Sequence, residues 1–288
     1  FHWKRNRNMG SLLRMAVGLR LRAAALYELI PARLAYKRAD DTYEALREAY
    51  VTGQPGAASD DPAEEGEELP AWYEVLQVDF ETLKEVNPDV TGWIYFDNIE
   101  QIDYPVLYSG DDETYLHTDL YGNASKSGCI FMEGNNVPDF NDCHTILYGH
   151  NMKNGSMFKD VHRYKDEAYF KEHQFFSIYT PDREIRLKAV AAYYGEAQPI
   201  VRKTRFKSQE SFDAFVHEMV KPCSYGGEIT YPAKTLYTLV TCSYEINDAR
   251  TFLFAVEVDE DGNPIQPDDD FLQRMDELMG DKSQETAG

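Results

Sequence analysis

Residues 235–258 read TLYTLVTCSYEINDARTFLFAVEV. Two runs of β-branched and aromatic residues, Thr235–Tyr244 and Thr251–Val258, enclose the polar break Glu245–Asp248, the pattern of two strands joined by a short turn. Toward the N-terminus the same grammar repeats. Gly92–Phe96 (GWIYF), Ile102–Tyr108 (IDYPVLY), Gly128–Glu133 (GCIFME), His144–Tyr148 (HTILY), Phe175–Tyr179 (FFSIY) and Glu184–Tyr194 are separated by Asp, Asn, Gly and Pro turns. About eight strands at regular spacing predict a mainly β fold, a closed barrel or a sandwich. One helix interrupts the series at Ser208–Val220, where Phe212, Phe215, Val216 and Met219 share a face. A short helix is expected at Asp79–Val86, stopped by Asn87-Pro88 because proline restricts the residue before it.

The chain has 288 residues, 50 acidic and 29 basic, for a formal charge of −21. Such a surface repels polyanions and argues against nucleic acid as a partner. Apolar residues at 43% and aromatics at 13% suffice for a full core and exclude a wholly disordered chain. The charge is uneven: residues 1–38 hold nine basic side chains and one acid, Glu28, so the remaining 250 carry −29. A basic leader before an acidic body is the polarity of an exported protein whose N-terminus stays inside. From Leu12 to Ala35, however, Arg14, Arg20, Arg22 and Arg33 break the apolar run into pieces shorter than the ~20 residues of a spanning helix. Three readings stay open: an anchor upstream, an amphipathic interfacial helix, or a vector origin for part of residues 1–11. Four segments result: residues 1–52, a basic leader with helices around a break at Pro31; residues 53–70, an acidic Pro/Gly linker; residues 71–258, the β domain; and residues 259–288, an acidic tail with a short helix at Phe271–Met279 and otherwise mobile.

Four cysteines at 129, 143, 223 and 242 form no CxxC pair, and seven histidines form no metal-binding cluster; no phosphate loop is present. No metal or other cofactor is expected. Cys242 ends the most hydrophobic strand, a rigid place to present a nucleophile, although a lone cysteine is also ordinary core packing. His150 follows the strand His144–Tyr148, where an imidazole can serve as the base a thiol needs near neutral pH, or be a surface loop residue. Arg250 comes eight residues after Cys242, so a tight connection returns it to the same barrel end, where a guanidinium can stabilise an oxyanion or simply form a surface ion pair.

The words around these three residues carry more. Thr145–Phe158 (TILYGHNMKNGSMF) and Leu239–Arg250 (LVTCSYEINDAR) resemble signature segments of the sortases, cysteine transpeptidases of Gram-positive surfaces, and the first resembles class B in particular. The run VTGWIYFDNIEQIDYPV starting at Val90, the turn Tyr121-Gly122-Asn123 before Ser127–Phe131, and the stretch His173 to Thr180 agree with it; the resemblance covers residues 72–258. It implies an eight-stranded β-barrel with N-terminal helices and a helix between the sixth and seventh strands. It also implies Cys242 as nucleophile, His150 as acid–base partner and Arg250 as oxyanion or substrate-positioning residue. Tyr148, Asn151 and Thr241 flank the Cys–His pair and read either as lining of the substrate groove or as packing and turn residues. The implied reaction cleaves a C-terminal sorting signal of an Asn-Pro-x-Thr-like pattern after Thr. A thioester then passes the surface protein to a peptidoglycan-precursor or pilin amine, at the outer face of the cell membrane, with an N-terminal signal-anchor. The chain departs from the family in lacking an intact spanning helix and in having Val240 where class B members often have Ser. A cysteine hydrolase on the same scaffold, or an inactive surface binding module, would share these features.

Overall fold

A computed structural model describes residues 33–34, 37–52, 76–196, 199–226, 229–242 and 249–273; at Pro199 and Cys242 the description covers the backbone. The leader up to residue 32, the 53–70 linker, the Ser243–Asp248 break and the end of the acidic tail lie outside the described residues. Among the described residues no helix is long and apolar enough to cross a membrane.

Residues 37–50 form the first helix, α1, with Tyr43 and Leu46 buried one turn apart. A two-stranded antiparallel sheet, β1 (Val51–Thr52) and β2 (Gln77–Val78), ties its end to the chain entering the barrel. The barrel comprises β3 (Val90–Phe96), β4 (Asp103–Leu107), β5 (Ile130–Met132), β6 (His144–Tyr148), β7 (Phe175–Tyr179), β8 (Glu184–Glu196), β9 (Leu236–Cys242) and β10 (Ala249–Glu257). These eight close in the order β10-β8-β7-β3-β4-β5-β6-β9. The pairs β4–β5 and β6–β9 are parallel; the others are antiparallel.

Alternation along the strands builds two cores. Tyr237, Leu239, Leu253 and Ala255 point into the barrel with Trp93, Ile178 and Leu147. Leu236, Val240, Phe252, Phe254 and Ile146 face outward and are covered by Phe212, Phe215, Val216 and Met219. Those four come from α5 (Gln209–Val220), capped by a reciprocal Ser208–Ser211 box. This helix lies between the sixth and seventh barrel strands, as the resemblance implies. The expected helix near residue 80 is α2 (Phe80–Val86), with Asp79 accepting from the Thr82 N–H at 3.0 Å.

Other short elements went unread in the sequence: α3 (Thr114–His117), a 3-10 turn at Asp160–Lys165, α4 (Glu167–Glu172) and another 3-10 turn at Pro199–Arg202. One or two helical turns are too short to show a period. For α4 the local signals were present, in the Asp166 cap on the Ala168 and Tyr169 N–H groups and a Lys171–Glu167 pair at 2.7 Å. The tail, expected to be mobile outside a short helix, instead folds back over its first part: Ile265 N–H bonds Glu257 O at 2.9 Å, and Phe271 is buried in the outer core.

Candidate active site

Strand register brings three distant segments together. In the parallel β6–β9 pair Tyr148 lies opposite Val240, and the Gly149 N–H continues the ladder to Val240 O at 3.1 Å. His150 and Cys242 each follow that pair by two residues, so they stand at equivalent ends of adjacent strands. On the other flank Arg250 is the antiparallel partner of Cys242. The alternation that turns Phe252 and Phe254 outward assigns position 250 to the outer side of the wall. Cys242 thus ends its strand with His150 beside one edge and Arg250 beside the other.

The histidine is held from behind. His150 is half-buried, and its Nε2 lies 2.9 Å from Leu116 O, within α3. A carbonyl only accepts, so Nε2 carries the hydrogen and Nδ1 is the nitrogen left for a thiol. Gly128 makes this contact possible: at φ +56° it runs so close to α3 that a Cβ would lie 2.8 Å from Leu116 O. After His150 the chain reverses through Gly155 (φ +98°) and returns, with Phe158 N–H bonding His150 O at 3.0 Å. The Arg250 guanidinium is half-buried and donates from Nη1 to Ala249 O at 3.1 Å. Its partner on the far side is Gly195, whose side-chain space is taken up by the Tyr193 hydroxyl.

The flanking residues differ in what they expose. Tyr148 is half-buried, tilted against Phe131 at 5.3 Å, and its hydroxyl donates to Glu133 Oε2 at 2.5 Å. Asn151 is buried and bridges to Met157 across the loop. Thr241 is buried opposite Thr251, on the inner side with Tyr237 and Leu239, and its hydroxyl has no hydrogen-bond partner among the described residues. Val240 is 6% exposed and belongs to the outer core.

Burial pushes the thiols of Cys129, Cys143 and Cys223 up to about 12, so all three are protonated and unreactive near neutral pH. Among the described residues no group of three or more His, Cys, Asp or Glu side chains is placed to hold a metal ion.

No family model matches the chain. Sortase B of Listeria monocytogenes is 31% identical over 164 residues, which are 57% of this chain and 66% of that protein, just under two thirds of its length. Two solved structures superpose on the barrel. Clostridium perfringens sortase B has a TM-score of 0.58 at 28% identity, covering 62% of this chain and 99% of that one. Bacillus anthracis sortase B has a TM-score of 0.62 at 26% identity, covering 77% and 97%. In sequence and in fold the chain resembles the class B sortases. The closed eight-strand barrel, the N-terminal helix against it and the helix between the sixth and seventh strands agree with that likeness.

Proposed function

We propose that this protein is a class B sortase that cleaves a C-terminal sorting signal after its Thr and transfers the protein to an amine, with Cys242 as nucleophile, His150 as acid and base, and Arg250 as oxyanion partner. The supporting observation is the register that sets positions 150, 242 and 250 side by side at one barrel end.

The Cys242 thiolate attacks the Thr carbonyl carbon, and its oxygen takes up the negative charge, which guanidinium N–H donors from Arg250 stabilise. Collapse breaks the peptide C–N bond, the departing nitrogen takes a proton from His150, and a Cys242 thioester remains. An amine from a peptidoglycan precursor or a pilin then attacks the thioester carbonyl and gives up a proton to His150, and Cys242 leaves as thiolate. With Nε2–H held by Leu116 O, Nδ1 carries that proton each way. Tyr148 offers surface to the bound signal, while Asn151 and Thr241, both buried, support the wall from behind. The +8 leader suits a membrane-side N-terminus at the cell surface.

Intact-mass analysis tests this with a peptide carrying an Asn-Pro-x-Thr segment, with and without oligoglycine or a diaminopimelate peptide. A thioester on wild type that converts to an amide, absent in Cys242→Ala, is the expected outcome. Cleavage without transfer to either amine indicates a hydrolase. No adduct, together with no alkylation of Cys242 under conditions where the other three thiols are inert, refutes the catalytic assignment.

A further inference from the structure

Glu133, directly after β5, has a fully buried carboxylate that four donors surround. Its Oε2 accepts from the Tyr148 hydroxyl at 2.5 Å and from Arg202 Nε at 3.1 Å. Its Oε1 accepts from Arg202 Nη2 at 2.7 Å and from Asn135 Nδ2 at 2.9 Å. Burial alone would raise this acid; the bonds from Arg202 and Tyr148 outweigh it and hold the carboxyl below the ordinary range. Arg202 comes from the Pro199–Arg202 turn in the long β8–β9 connection, and it also pairs with Asp112. The next three residues are fastened to the same region of the barrel. Lys203 O bonds His144 at 2.8 Å, Thr204 bonds Asn135 O at 3.4 Å, and Arg205 pairs with Asp142. Yet Ile200, two residues before Arg202, is left 51% exposed.

One carboxylate therefore joins two things: the Tyr148 ring, two residues before His150, and a turn that displays an exposed isoleucine. The Tyr148 hydroxyl is committed to Glu133, which leaves its ring for a ligand. We propose that Arg202 is a positioning residue for signal binding, acting through Glu133 to hold the Tyr148 ring and the Pro199–Arg202 turn in fixed relation as two walls of the substrate groove. An exposed ion pair contributes little, but here the carboxylate is wholly buried and the guanidinium meets it with two N–H donors. The role concerns affinity for the signal, because neither residue reaches the reacting atoms.

This inference rests on the transpeptidase reading, so binding is measured apart from turnover. In the Cys242→Ala background, anisotropy of a fluorescein-labelled Asn-Pro-x-Thr peptide should show about tenfold weaker binding with Arg202→Met, the effect of losing a charge-assisted bidentate contact. Arg202→Lys keeps the charge without the fork and should restore part of that affinity. In the active enzyme Arg202→Met should raise KM with kcat nearly unchanged, and kcat/KM should gain an acid-side ionisation as Glu133 loses its partner. Glu133→Gln, which keeps one acceptor oxygen and loses the charge, checks against misfolding: near-UV circular dichroism as in wild type with weakened binding supports the proposal. Unchanged peptide affinity in folded Arg202→Met, or a loss confined to kcat, overturns it. Turnover by Cys242→Ala would instead refute the underlying nucleophile assignment.

Discussion

Acidification should destabilise the barrel through one side chain, His144, at the start of β6. It is fully buried, its Nδ1 lies 2.8 Å from Lys203 O, its Nε2 lies 2.8 Å from Thr238 Oγ1, and its ring is 5.1 Å from that of Phe215. The Lys203 carbonyl only accepts, so Nδ1 donates and Nε2 accepts from the Thr238 hydroxyl; both nitrogens are satisfied by the neutral ring. Burial holds the pKa down at about 4, against 6.5 in an exposed histidine. The unfolded chain therefore takes up a proton near pH 6.5, while the folded chain resists until about pH 4. Across that window the unfolded state binds more protons, and stability falls as pH falls. The displacement corresponds to about 3 kcal/mol, a sizeable part of the ~5–15 kcal/mol of a typical domain. Urea unfolding of wild type and His144→Gln, run from about pH 7 to about pH 4.5, isolates the effect. The variant carries a constant packing penalty, but its stability should fall less steeply, the two curves converging by about 2 kcal/mol over that range. Parallel curves would refute the reasoning, since they would mean that His144 is protonated as readily folded as unfolded.

Two further substitutions probe the supports of the site. Gly149→Ala places a Cβ 2.5 Å from Ile130 Cδ1 and 2.6 Å from Phe158 Cγ, directly before His150. The misplaced imidazole should lower kcat by about 10- to 100-fold, with an overpacking cost of about 1–3 kcal/mol in thermal unfolding; a kcat within twofold of wild type would mean the loop absorbs the methyl. Tyr43→Phe removes the hydroxyl that α1 donates to Gly128 O at 2.9 Å, inside the core. Leaving that carbonyl without its donor should cost about 1–3 kcal/mol, read as a lower Tm, and an unchanged Tm would show that α1 adds nothing to the barrel through this bond.

Much of this architecture is written locally. All eight barrel strands were legible because a run of β-branched and aromatic residues between turn formers carries its own period, and α5 because its apolar face spans three turns. The residue types at Cys242, His150 and Arg250, with the words around them, were enough to suggest the chemistry proposed above. Their adjacency was not in the sequence. It comes from a parallel pairing between β6 and β9, whose registered residues Tyr148 and Val240 are 92 positions apart, and no local pattern specifies which strands pair or in which register. The same holds for Leu116 O behind His150, for Thr241 turned to the inner side, and for Glu133 gathering Tyr148 and Arg202. A single carboxylate or carbonyl looks alike in any sequence; what it holds is decided only when the barrel closes and burial removes water as the competing partner.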